Sequence, residues 1–118
     1  MAVVRVWAGY VSDADARVYL VEFDGARIGG VSERNARRTF YATADGRVVV
    51  HEVRTGRRRG GRVYDQALVY VFDNLAVACA HLDVSLQRIV SECGEATLPR
   101  VEAPTLTLDE WARGAGTY

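Results

Sequence analysis

The residues best suited to chemistry are five arginines that fall within nine positions and alternate with glycines. They are Arg54, Arg57, Arg58, Arg59 and Arg62, in the stretch RTGRRRGGR. A guanidinium group is planar, permanently charged and able to give paired hydrogen bonds to phosphate oxygens. The segment is predicted to bind an anionic partner, either nucleic acid or an acidic protein surface. Alternatively, it is a solvated linker whose charge keeps the sheet edge soluble.

Two further arginines, Arg37 and Arg38, precede the same region of the chain. If the fold brings them close to the arginine-rich segment, the basic surface becomes larger. The predicted anion-binding set is therefore Arg37, Arg38, Arg54, Arg57, Arg58, Arg59 and Arg62.

Residue types that support catalysis or metal binding are present, but their spacing is unfavourable. His51 and Glu52 are neighbours in a predicted strand and point to opposite faces. Cys79, His81 and Asp83 are two positions apart along a predicted helix, so they do not share a face. No phosphate-binding glycine motif, nucleophile elbow or paired-cysteine zinc signature occurs. We predict no catalytic residue, no metal and no cofactor.

The first half of the chain is predicted to form an antiparallel meander. Runs rich in valine and aromatic residues alternate with turn residues, and Asp24-Gly25 and Asp45-Gly46 are strong hairpin signals. The five predicted strands are 2–10, 17–23, 26–31, 38–44 and 47–54.

The segment from 64 to 82 is long and mostly apolar, with Leu68, Val71, Phe72 and Leu75 at helical spacing. It predicts one long helix, so the fold class is α+β, with about five strands packed on that helix. The helix is apolar nearly all round, which suggests a second chain on its far side and a two-fold homodimer. The predicted interface is Val69, Tyr70, Asp73, Ala76, Val77 and Ala80. Alternatively, the C-terminal tail covers this face.

A second, short helix is predicted at 86–93, giving a single domain over residues 1–96. The corner between the helices has the form of a weak helix-turn-helix, with Asp83 where glycine is usual. The tail, 97–118, is predicted to be extended. Its capping box, from Thr107 to Glu110, indicates a short helix at 108–113.

Composition is that of one ordinary globular domain, with 118 residues, 49% of them hydrophobic, and a net charge of zero. Residues 1–62 hold twelve arginines and seven acids, whereas 63–118 hold three arginines and eight acids. This asymmetry is consistent with an anionic partner on the first half, with attraction between the two halves, or with contacts between subunits. The N-terminal sequence has neither a signal peptide nor a membrane span, so a cytoplasmic location and no membrane partner are expected.

The stretch from Arg37 to Asp65 resembles the terminal basic hairpin of RelE/ParE-type toxins, which are small ribosome-dependent ribonucleases or gyrase poisons. The resemblance covers about a quarter of the chain. It implies that Arg54, Arg57, His51 and Tyr64 position RNA and assist attack by the 2′-hydroxyl group. That family opens with a strand and two helices, whereas residues 1–36 predict strands here.

Three functions are consistent with the sequence. The first is a non-enzymatic homodimeric protein that presents the arginine-rich loop to an anionic partner. The second is a RelE/ParE-like ribonuclease or toxin, and the third is a protein adaptor with no nucleic-acid role.

Overall fold

The computed structural model describes residues 1–12, 16–33, 35–57, 63–89 and 103–114. Strands dominate this part of the chain. In order, the elements are β1 (Ala2–Ser12), β2 (Ala16–Ser32), β3 (Ala36–Thr43), β4 (Val48–Arg57), β5 (Val63–Phe72), α1 (Leu75–Leu82), a 3-10 turn (Leu86–Arg88), β6 (Thr105–Thr107) and α2 (Leu108–Ala112).

The first five strands form a closed barrel, because β1 pairs with both β2 and β5 and each strand between them pairs antiparallel with the next. The short β6 adds to β2 in the parallel sense. The four successive antiparallel pairings from β1 to β5 would leave β5 parallel to β1, yet these two strands pair antiparallel. At least one strand must therefore bend sharply, as strands do at barrel corners.

Two backbone features supply the bends. Gly9 has φ 137° and is the residue at which β1 begins to pair with β5. The register between β2 and β3 shifts between Arg27 and Gly29, which is a β-bulge. The 17 residues of β2 thereby pair with β1 through their first part and with β3 through their last.

Hydrophobic residues fill the barrel and cover part of its outer face. One buried cluster draws on all five barrel strands and on α2; its members are Val6, Ala8, Val21, Phe23, Tyr41, Val49, Val69 and Leu108. Trp111 packs against this cluster, and its indole Nε1 donates a 3.0 Å hydrogen bond to the carbonyl oxygen of Val69. A second cluster, between the outer face of β3 and β4 and the helix α1, includes Phe40, Val50 and Ala78.

The predicted α+β fold with a long helix over 64–82 is wrong. Residues 63–72 form β5, and only Leu75–Leu82 are helical. Both faces of β5 are covered: Ala67 and Val69 are buried toward the other barrel strands, while Tyr70 and Phe72 pack in the cluster beneath α1. A strand buried on both faces is apolar all round, which is also the composition of a buried helix.

The hairpin predicted at Asp24-Gly25 is also absent, because β2 runs through both residues. Gly25 pairs with Ala2 of β1 and with Thr43 of β3, and a methyl group at Gly25 would lie 2.6 Å from the carbonyl oxygen of Ala42. Glycine is present there for close strand approach and not for a turn. At Asp45-Gly46 the turn does form, with Gly46 at φ 89°.

Beyond α1, Asp83 adopts the left-handed conformation at φ 53°. Only the 3-10 turn follows it as far as Ile89, so no helix-turn-helix occurs there, and the rest of the predicted 86–93 helix lies outside the described residues. At α2 the Thr107 and Glu110 side chains form a capping box. Within the described ranges, no helix has the length and apolar character needed to cross a membrane.

Candidate functional site

A polar cleft of about 640 Å³ lies on the outer face of β3, β4 and β5, at the opposite end of these strands from α1. Its lining combines arginines, carboxylates, amides and a tyrosine: Glu33, Asn35, Ala36, Arg38, Glu52, Arg54, Thr55, Gly56, Tyr64 and Gln66. The strands supply these side chains by alternation, since Glu52, Arg54 and Gly56 share one face of β4.

The floor of the cleft is the carboxylate of Glu52, which is fully buried. It accepts a 2.9 Å hydrogen bond from Nε of Arg38 and forms a 3.2 Å ion pair with a terminal nitrogen of Arg54. The Tyr70 hydroxyl donates a 3.3 Å hydrogen bond to the second carboxylate oxygen of Glu52, Oε2. Burial, followed by the charge of Glu52, raises the pKa of the Tyr70 phenol, which therefore stays protonated as a donor.

The two arginines of this network differ in what they can offer to a ligand. The Arg38 side chain is only 14% exposed and also contacts Glu33 at 3.2 Å, so its charge is neutralised within the fold. The Arg54 side chain is 52% exposed. Arg54 is therefore the guanidinium in the described part of the cleft that both has a fixed position and faces solvent.

A row of directly paired residues crosses the sheet beside this network. Tyr10 of β1 pairs with Gln66 of β5, which pairs with Arg54 of β4. Directly paired residues project from the same sheet face, and neighbouring strands are about 4.8 Å apart. Tyr10 and Arg54 are thus about 10 Å apart in the sheet.

Tyr64 lies beside this row. Its ring centroid is 5.5 Å from that of Tyr10, with the two planes tilted by 31°. Its strand partner is Gly56, where a methyl group would lie 2.5 Å from Cζ of the Tyr64 ring. The glycine of the RTGR segment therefore makes room for an aromatic ring, and two tyrosines lie side by side next to the exposed arginine.

The structure places only part of the predicted anion-binding set. Arg54 and Arg38 lie in the cleft, whereas Arg37 is exposed and precedes Arg38 on β3, so it projects from the opposite face. Arg57 ends β4 and pairs with Val63. The remaining arginines, Arg58, Arg59 and Arg62, lie outside the described residues, in the connection from β4 to β5. That connection joins two paired strands, not a sheet and a helix as predicted.

The residues of the predicted dimer interface do not share one surface. Val69 is buried inside the barrel, and Tyr70 lies at the outer sheet face where it bonds Glu52. Asp73, Ala76, Val77 and Ala80 are exposed, on α1 or just before it. The exposed apolar patch is thus short and belongs to a helix of eight residues.

His51 is a structural residue. It is 3% exposed, and Nε2 donates a 2.7 Å hydrogen bond to the carbonyl oxygen of Trp7. Burial lowers the pKa of this imidazole to about 4, partly offset by that hydrogen bond. The role that the toxin resemblance implies for His51 is therefore not supported, since the ring has no access to RNA. Ala2–Ser12 and Ala16–Ser32 also form strands, in contrast to the helices of that family.

This burial predicts a pH dependence of folding. Because the folded pKa is about 4 and the unfolded value about 6.5, the unfolded chain binds more protons between these limits. Neutral, buried His51 therefore adds to the free energy of unfolding in full above pH 6.5. This added stability is lost as the pH falls toward 4, by an amount on the order of 3 kcal/mol. Urea unfolding at pH 7, 6 and 5 measures the loss. A His51→Gln variant keeps a donor for Trp7 and should have a shallower dependence, and parallel curves for the two proteins would contradict this assignment.

Among the described residues no group of three or more histidine, cysteine or acidic side chains is placed to hold a metal ion. The geometry instead suits binding: a half-exposed guanidinium with a fixed position, amides and two tyrosine rings. Sequence reasoning found Arg54 but missed Glu52, Tyr10 and Gln66. The strand register brings these three residues close to Arg54. The sequence alone showed only that Glu52 and Arg54 alternate along one strand and so share a face.

Comparison of the chain with known protein families, with curated proteins and with solved structures finds no match.

Proposed function

We propose that this is a small non-enzymatic binding protein that holds an anionic partner at the cleft and at the neighbouring arginine-rich connection between β4 and β5. One observation supports the proposal above the others. The pairing of β4 with β5 extends to Arg57 and Val63. It therefore fixes both ends of a connection that holds three further arginines, and the β4 end of that connection lies three residues along the strand from the exposed Arg54.

Because other charges in the cleft neutralise one another, the anionic partner should contact Arg54 and the arginine-rich connection. Arg38 and the two lining carboxylates, Glu33 and Glu52, compensate one another in part, since Glu33 also lies 3.5 Å from Arg88. An anion approaching the cleft thus meets Arg54 and the connection, without an unpaired carboxylate among the cleft residues. The proposed partner is nucleic acid, and an acidic protein surface is the competing outcome of the test.

Replacing Arg57, Arg58 and Arg59 together with alanine should weaken binding to a labelled oligonucleotide by tenfold or more at low salt. Each phosphate contact contributes roughly 0.7 to 0.9 to the slope of log K against log salt concentration, so the slope should fall by roughly 2 to 3. Fluorescence anisotropy across a salt series measures both quantities. A double Arg5→Ala, Arg113→Ala variant removes exposed charge elsewhere and should bind as the wild type does. Unchanged affinity in the triple variant would make the connection a linker.

We further propose a homodimer in the cytoplasm, with the exposed face of α1 as the contact. Its apolar residues, Ala76, Val77 and Ala80, are exposed. Light scattering over the same salt series gives the mass of the free protein and of its complex. A monomeric mass at all concentrations would eliminate the dimer and leave the anion-binding proposal intact.

A further inference from the structure

The tyrosine pair beside the cleft is not required by general anion binding. Tyr10 and Tyr64 are partly buried, and both lie on the outer face of the sheet. They come from different strands, and Gly56 leaves room for the Tyr64 ring. A surface built only to attract negative charge would need no aromatic rings.

We infer that the surface formed by Tyr10, Tyr64, Gln66 and Arg54 binds single-stranded nucleic acid, with a base stacked on the tyrosine pair and the backbone phosphate at Arg54. This inference rests on the proposed function and specifies its ligand. Base stacking on aromatic side chains together with a basic track is the general means by which single strands are held without sequence preference.

Spacing and polarity fit this ligand. Tyr10 and Arg54 occupy the same sheet face about 10 Å apart, with Gln66 paired between them, and Tyr64 lies beside this row. An amide offers both a donor and an acceptor to the edge of an unpaired base. Asn35 provides a second amide in the lining of the cleft.

Duplex nucleic acid fits less well. In a duplex the base faces are covered by their neighbours, so the tyrosines would have no stacking partner, and only the phosphate contacts would remain. An acidic protein surface would likewise use the arginines alone. Both competing ligands therefore predict binding that is insensitive to the tyrosines.

The first arm of the test leaves the protein unchanged. Anisotropy is measured at fixed salt for a labelled 15-nucleotide single strand, a strand of the same length with abasic sites, a duplex and polyglutamate. Stacking changes the affinity by roughly 5- to 150-fold per base, so the abasic strand should bind at least about fivefold more weakly than the intact strand. Running the strand as DNA and as RNA identifies which of the two is preferred.

The second arm changes the protein. Tyr10→Leu and Tyr64→Leu, made separately, should each weaken single-strand binding about fivefold or more and leave polyglutamate binding unchanged. Tyr10→Phe and Tyr64→Phe retain the ring and should bind as the wild type does. Thermal melting of each variant shows whether it is folded, and the abasic strand tests the inference even if a leucine variant is not.

The outcomes are distinguishable. Equal affinity for intact and abasic strands, or equal or tighter binding of the duplex or of polyglutamate, overturns the stacking inference while anion binding stands. No binding of any of these probes at low salt overturns the proposed function as well. Weaker binding of the abasic strand with rescue by phenylalanine supports both.

Discussion

Gly9→Ala should unfold the barrel or leave it barely stable. A methyl group at Gly9 would lie 1.8 Å from the carbonyl oxygen of Arg17, far inside contact distance, and the obstacle is backbone that is itself paired in β2. Gly9 also has φ 137°, a conformation that residues with a side chain rarely adopt. The expected loss is on the order of 4 kcal/mol or more, comparable with the whole stability of a small domain.

Gly46→Ala provides the matched control. Gly46 also has a positive φ of 89°, but nothing lies within 4 Å of an added methyl group. Only the conformational cost applies, roughly 1 kcal/mol. Urea unfolding followed by circular dichroism compares the two variants. If Gly9→Ala loses no more stability than Gly46→Ala, the close approach of β1 and β2 at Gly9 is not what fixes the barrel closure.

Signals carried by a few neighbouring residues were more informative than the periodicity of the long apolar segment. Local patterns located the regions of β1, β3 and β4 and the Asp45-Gly46 turn, because alternation and turn chemistry act over a few neighbouring residues. The same kind of signal was wrong at Asp24-Gly25. There the glycine is needed because three strands approach one another, and no local pattern carries that information.

The error at β5 has a different cause. Val69, Tyr70, Val71 and Phe72 are β-branched or aromatic, which favours a strand, but only Asp73 and Asn74 separate this run from the apolar residues of α1. Periodicity cannot separate a strand buried on both faces from a buried helix. Asn74 marks the actual boundary, since its side chain accepts a hydrogen bond from the backbone N–H of Val77 at the start of α1.

Residues of the site were only partly predictable for a related reason. The arginines were evident from their number, whereas Glu52 was considered only together with its neighbour His51. Its actual partners come from β3, β4 and β5. The register of three strands had to be known before a buried carboxylate could be recognised as the group that positions Arg54.

Replacing Glu52 should cause the second large loss of stability. Glu52→Ala would leave the largely buried Arg38 without its closest partner and the Tyr70 hydroxyl without its acceptor. Loss of one partner from a buried ion pair typically costs about 3 to 5 kcal/mol, because the other charge stays desolvated. Glu33→Ala, which removes the more exposed carboxylate from the same arginine, should cost less than about 1 kcal/mol. Urea unfolding measures both differences.

A double variant tests whether the fold depends on the ion pair between Glu52 and Arg38 or only on buried side chains of that size. Glu52→Leu with Arg38→Met replaces both charges by apolar side chains of similar size, and such replacements are often neutral or stabilising. The double variant should therefore recover most of the stability that either single change loses. It should still bind nucleic acid more weakly, because Arg54 loses the carboxylate that fixes its guanidinium in the cleft. A double variant no more stable than Glu52→Leu alone would contradict the role of the ion pair in the fold, and unchanged binding would show that Glu52 does not position Arg54.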